Sequence, residues 1–258
     1  MWRAWVFAMA ARLRPVRSRR RDAAVLLLHG LTGTPEDMRS VADALADDGY
    51  TVSVPLLPGR GTCPADMDCL AWDDWMSCAL AAYDDLAAGD REVIVGGLSA
   101  GATMALDLAL RRKPAALLLF ATALAIRNRF AYLTPYVWRV VRTWPSPASD
   151  MVDLNAGASC YDPIPLRAVA ELITGISRVR GRLGEITCPA FVAHAVRDQV
   201  VPVSDARELA RRLGGPVRTL FLEGSGHAIT VDVRRRDVAA ASLAFVREIA
   251  GVPERRSA

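Results

Sequence analysis

Apolar positions along this chain alternate between two patterns. Residues 23–28, Ala-Ala-Val-Leu-Leu-Leu, form an unbroken apolar run, as expected of a strand covered on both faces. Met38, Val41 and Leu45 then recur at helical spacing. They predict a helix from Pro35 to about Asp48, N-capped by Thr34 and stopped by Gly49. Residues 50–54 read as a second strand, closed by Pro55, and residues 56–61 hold too much Pro and Gly to be an element. Residues 72–88 form an amphipathic pattern with Trp75, Ala79, Ala82, Tyr83 and Leu86 on its inner side. A third apolar run begins at Val93 and breaks at a serine-bearing turn, with a helix expected from near Ala102 to about Arg112. Pro114 ends that helix, and residues 116–120 are again continuously apolar.

Between residues 121 and 187 the alternation lapses into proline-rich sequence with helical fragments at 136–143 and 166–179. It resumes with a strand at 190–193, a helix at 204–213, a strand at 217–222 and a closing helix at 231–249. Repeated strand–helix units predict an α/β fold, a doubly wound and mostly parallel sheet flanked by helices. A span as long as 121–187 without that rhythm reads as an insertion, and a small cap is expected at about residues 122–185. The domain is expected to cover residues 23–258, preceded by a basic leader at residues 1–22.

Composition narrows the class. Of 258 residues, 52% are apolar and 23% charged, enough for a sizeable core. The net charge of +4 belongs to the leader, whose first 21 residues hold seven arginines and no acid. Subtracting those seven from the 32 basic residues leaves 25 against 28 acidic ones, so the body carries about −3 and offers no nucleic-acid footprint. The leader mixes Trp2, Trp5, Val6 and Phe7 with arginine, and peripheral contact with an anionic membrane is a candidate role for it. No apolar run reaches the length of a membrane span. Five cysteines, at 63, 69, 78, 160 and 188, show no Cys-x-x-Cys pair, which fits a reducing, cytoplasmic compartment with some of them acting as small core residues.

The serine turn carries the chemistry. Gly97-Leu98-Ser99-Ala100-Gly101 is a Gly-x-Ser-x-Gly placed where strand gives way to helix. Alone it also fits an idle serine. A reactive Ser99 needs a base, and the chain has only three histidines. His29 sits where Gly30 and Leu31 matter more than its ring, and His194 ends a strand, where a satisfied core or rim histidine is expected. His227 lies in the loop after the last strand, and such loops converge on the sheet edge that carries Ser99. Asp198 follows the next-to-last strand at the same edge and can accept from the second imidazole nitrogen. Asp205 falls in the next helix, and Asp232 follows His227 too closely to reach it from the required side. An oxyanion would be met by the backbone N–H of Ala100 and by that of Leu31, in the loop after the first buried strand.

His29-Gly30-Leu31-Thr32-Gly33, Pro58-Gly59-Arg60-Gly61, Gly97-Leu98-Ser99-Ala100-Gly101, Asp198-Gln199-Val200-Val201-Pro202 and Ser225-Gly226-His227 occur in order. Over about residues 23–250 the chain thereby resembles the α/β-hydrolase superfamily, and most of all its small bacterial carboxylesterases and monoacylglycerol lipases. The resemblance implies Ser99 as nucleophile, His227 as general base and then acid, Asp198 as orienting carboxylate, and Leu31 and Ala100 at the oxyanion hole. It also implies a small cap over an acyl pocket. Arg60 departs from the pattern, since relatives commonly have His there, and Ala100 stands where many have a larger residue.

The expectation is a serine hydrolase acting on short-to-medium acyl esters or monoacylglycerols through an acyl-enzyme, with an ester or lipid as small-molecule partner. No metal or organic cofactor is implied. An acyltransferase, thioesterase or peptidase would use the same residues, and a non-catalytic binding module is a further alternative.

Overall fold

The protein is described here by a computed structural model, which covers residues 23–145, 151–153 and 161–251. The leader expected at residues 1–22, with its candidate membrane role, lies outside the described residues, as does Cys160.

In chain order, the core elements begin with β1 (Ala23–Leu28), α1 (Arg39–Asp47), β2 (Thr51–Ser53), α2 (Trp72–Ala87), β3 (Glu92–Leu98), α3 (Ala100–Arg111) and β4 (Ala116–Phe120). The intervening segment holds a single-turn α4 (Thr134–Val137), a two-residue ladder of β5 (Thr143–Trp144) with β6 (Ile164–Pro165), and α5 (Leu166–Arg180). The chain closes with β7 (Ala190–Ala195), α6 (Ser204–Arg212), β8 (Val217–Leu222) and α7 (Arg235–Ile249).

Six strands form one sheet in the order β2-β1-β3-β4-β7-β8, and every pairing in it is parallel. The unbroken apolar runs explain this layer. All six residues of β1 and all five of β4 are buried, because helices cover both faces. Period two sorts their side chains: Ala24, Leu26 and Leu28 pack with α2, α3, α5 and α6, whereas Val25 and Leu27 pack with α1 and α7. The strand order reverses between β1 and β3, and a doubly wound sheet opens its crevice at such a switch.

Several element boundaries differ from expectation. Pro35–Met38 is a 3₁₀ turn and regular helix starts only at Arg39. The fragment expected at 136–143 stops at Val137, because Val140 and Val141 find no face to bury and stay exposed. Residues 231–234 are drawn into a turn by Asp232, so the last helix begins at Arg235. Of the cysteines, Cys63 and Cys69 are exposed, whereas Cys78 and Cys188 are half-buried and pack against the core, as expected of some of them; all four are free thiols. Among the described residues no helix is long and apolar enough to cross a membrane.

The inserted segment is anchored to the body by α5. Trp72 is fully buried, donates from Nε1 to Asp107 Oδ2 at 2.8 Å, and lies flat against Gly175 of α5. A Cβ at position 175 would sit 2.4 Å from the indole. Gly175→Val is therefore expected to lower stability by about 1–3 kcal/mol, seen as a lower urea midpoint at unchanged slope.

Candidate active site

Ser99 is set by a steric compression between β3 and α3. A Cβ on Gly97 would meet the Gly101 carbonyl carbon at 2.3 Å, and one on Gly101 would meet Leu28 O at 2.1 Å. The helix axis thus comes directly down onto the end of β1, and the chain must reverse within one residue. That residue is Ser99, at φ 55° and ψ −113°, a left-handed conformation that non-glycine residues rarely adopt. Helix α3 begins at Ala100, two residues earlier than expected, since the reversal leaves no connecting loop. The Ser99 N–H donates to Phe120 O of β4 at 2.8 Å, so the strained residue is also tied to the next strand.

The two partners come from the loops after β7 and β8. His227 Nε2 lies 2.9 Å from Ser99 Oγ, and His227 Nδ1 lies 2.7 Å from Asp198 Oδ2. All three residues expected from sequence are thus brought together in one hydrogen-bonded row. Asp198 is fully buried, whereas Ser99 is 9% and the His227 side chain 15% exposed, so what solvent access the row has lies at the serine and the imidazole, not at the carboxylate. Burial alone would raise the Asp198 pKa, but hydrogen bonds from His194, His227 and Val201 N–H outweigh it and hold the carboxylate well below its ordinary range. Its Oδ1 accepts from Val200 N and Val201 N at 2.8 Å each, which makes the loop a rigid carboxylate cradle.

Four residues matter here that sequence reasoning passed over. His194, read as an ordinary rim histidine, places Nε2 3.3 Å from Asp198 Oδ2, so the carboxylate serves two imidazoles. Its position four residues before Asp198 across a strand end was the available signal. Asp232, set aside as following His227 too closely, shapes the loop that carries it. Its Oδ2 accepts from Ser225 Oγ and Gly226 N, and its Oδ1 from Val152 N and Asp153 N of the inserted segment. His29 has a structural ring after all. Nε2 accepts from Leu57 N at 3.1 Å and Nδ1 faces Gly30 O at 3.0 Å. Burial, and then the charge of Arg60, lower its pKa to about 3, so it stays neutral. Arg60 itself donates to Leu31 O at 2.8 Å.

The two backbone positions expected to meet an oxyanion lie where the switch point puts them. Leu31 follows β1 and Ala100 opens α3, whose first-turn N–H groups have no acceptor within the helix. Neutral imidazole beside a serine hydroxyl can take its proton as the oxygen attacks a carbonyl, and the buried carboxylate fixes which ring nitrogen is free to do so. Among the described residues no group of three or more His, Cys, Asp or Glu side chains is arranged to hold a metal ion.

Comparison with known proteins agrees with this frame. The Hydrolase_4 profile (Serine aminopeptidase, S33) matches residues 19–234. A thermostable monoacylglycerol lipase of Bacillus sp. (strain H-257) is 29% identical over 228 residues, 88% of this chain and 91% of the relative. A carboxylesterase of Bacillus subtilis (strain 168) is 26% identical over 219 residues, 83% and 88% of the two chains. A solved structure from work on two metagenome-derived lipolytic enzymes superposes with TM-score 0.83 at 29% identity, covering 88% of this chain and 94% of that one.

Strain at position 99 has a measurable consequence. Ser99→Gly relieves the left-handed backbone and Ser99→Ala does not, so the glycine variant is expected to be the more stable by about 1 kcal/mol in urea melts. Equal stability of the two would mean that the turn stores no strain.

Proposed function

Because the chain belongs to the Hydrolase_4 (Serine aminopeptidase, S33) family of α/β-hydrolases, we propose that it cleaves carboxylic esters, short-to-medium acyl esters or monoacylglycerols, through an acyl-enzyme on Ser99. The observation that carries this reading is the continuous row Ser99 Oγ, His227 and Asp198, with contacts of 2.9 and 2.7 Å. His227 takes the serine proton as Oγ attacks the ester carbonyl, and the Leu31 and Ala100 N–H groups receive the developing oxyanion. The C–O bond then breaks, the leaving alcohol takes the proton from His227, and a water activated by the same imidazole releases the acid. Asp198 keeps Nδ1 protonated and stabilises the imidazolium formed at each transfer.

The inserted segment, about residues 122–185, is the cap of this reading. Supporting it are the large apolar side chains this segment leaves exposed, Phe130, Tyr136, Val140 and Trp144, of a kind suited to meet an acyl or lipid substrate. The names of the two bacillary relatives support an ester substrate. The family's description as a serine aminopeptidase favours a second reading, amide cleavage by the same residues. Parallel assays with p-nitrophenyl esters, monoacylglycerols and amino-acid p-nitroanilides separate the two.

Ser99→Ala is expected to lower kcat on p-nitrophenyl esters by at least about 10⁴-fold, and turnover matching wild type would sink the assignment. kcat/KM is expected to fall as pH drops, since only neutral imidazole accepts the serine proton. A flat profile from about pH 5 to 8 would remove His227 from the base role.

A further inference from the structure

Arg60 is a cation buried to 2% exposure, and among the described residues no carboxylate pairs with it. Burial lowers its pKa to about 9, which still leaves it charged at neutral pH. An unpaired buried charge is costly to keep, so its contacts indicate what it is kept for. Nε donates to Leu31 O at 2.8 Å and Nη1 to Pro58 O at 2.7 Å, while the guanidinium carbon stands 4.1 Å over the Trp75 ring. Leu31 is the residue whose N–H is proposed to face the oxyanion. Gripping its carbonyl fixes the peptide that follows Leu31 and so limits how far its N–H can swing. The charge also acts on this loop directly, as its effect on His29 shows.

The loop that carries Arg60 is held in turn by the inserted segment. Tyr161 Oη accepts from Thr62 N and donates to Gly59 O, each at 3.0 Å, so one phenol clamps both sides of Arg60. Gly59 and Gly61, at φ 77° and 72°, make the tight turn that directs the arginine inward. We infer that Arg60 is a positioning residue for the oxyanion loop and that Tyr161 transmits the seating of the inserted segment to it, through the Gly59–Thr62 loop. The inference rests on the acyl-enzyme reading above. It adds that oxyanion stabilisation depends on a contact from the segment over the site, so segment position and reactivity of Ser99 are coupled.

Full-length wild type, Arg60→Gln, Arg60→Lys, Tyr161→Phe and the Arg60→Gln/Tyr161→Phe double variant are compared by steady-state ester turnover and by the rate of Ser99 labelling with a fluorophosphonate. Phosphonylation builds negative oxygen in the same place and needs no ester activity. Arg60→Gln is expected to lower kcat on the order of 10–100-fold with KM little changed, and to slow labelling in parallel. Arg60→Lys, which keeps the charge but not the fork, is expected to recover part of both rates. Tyr161→Phe removes one hydroxyl, with little hazard to folding, and is expected to cost about threefold to tenfold in kcat. In the double variant the losses are expected to be less than multiplicative, because both act through Leu31. Unchanged kcat and labelling in Arg60→Gln, a loss confined to KM, or fully multiplicative losses would each overturn the relay. If wild type labels but turns over no ester, the ester reading fails, and the labelling ratios alone still decide this inference.

Discussion

The contact of α3 with the end of β1 is the constraint on which the site depends. With Gly101 pressed against Leu28 O and Gly97 against Gly101, the helix sits closer to the sheet than any side chain at those positions would permit. This closeness forces the reversal at Ser99, presents its hydroxyl above the strand ends, and brings the first turn of α3 beside the loop that leaves β1. The buried apolar strands β1, β3 and β4 supply the rigidity against which a strained residue can be held, since relaxing Ser99 would require shifting close-packed β-strands.

Electrostatic order in the site radiates from Asp198. Dehydrating a carboxylate is unfavourable, and the site compensates with two N–H groups of the loop after β7 on one oxygen and two imidazoles, from β7 and from the loop after β8, facing the other. Arg127 Nη2 donates to Asp198 O at 3.0 Å, so the start of the inserted segment braces the same loop from outside. Asp232 does the equivalent for the His227 loop, again with a bond to the inserted segment. The Asp198 and His227 loops are therefore each held both by the strand they leave and by a contact from the inserted segment.

Much of this was legible in the chain. Continuous runs such as residues 23–28 and 116–120 announce strands covered on both faces, and the residues placed just after strands, Ser99, Asp198 and His227, inherit a shared edge from the parallel topology. What stayed hidden has a common cause. Arg60, His194, Asp232 and Tyr161 act through contacts across loops whose mutual placement no local periodicity encodes. His194 lies on a strand that looks like any other buried strand, and Arg60 sits in a Pro-Gly turn that gives no sign of pointing inward. The fragment at 136–143 failed differently: its helical spacing is real, but a helix needs a surface to bury against, and Val140 and Val141 have none.

β4 pairs directly with β7, although the whole inserted segment lies between them in the chain. The β4–β7 register is made by strand backbone alone, so no residue of that crossover takes part in the pairing itself. The sheet and its serine turn have almost no steric slack, with Gly97 and Gly101 against backbone, whereas the crossover is tied to the body at discrete points, through Gly175 on Trp72 and through Tyr161 on the Gly59–Thr62 loop.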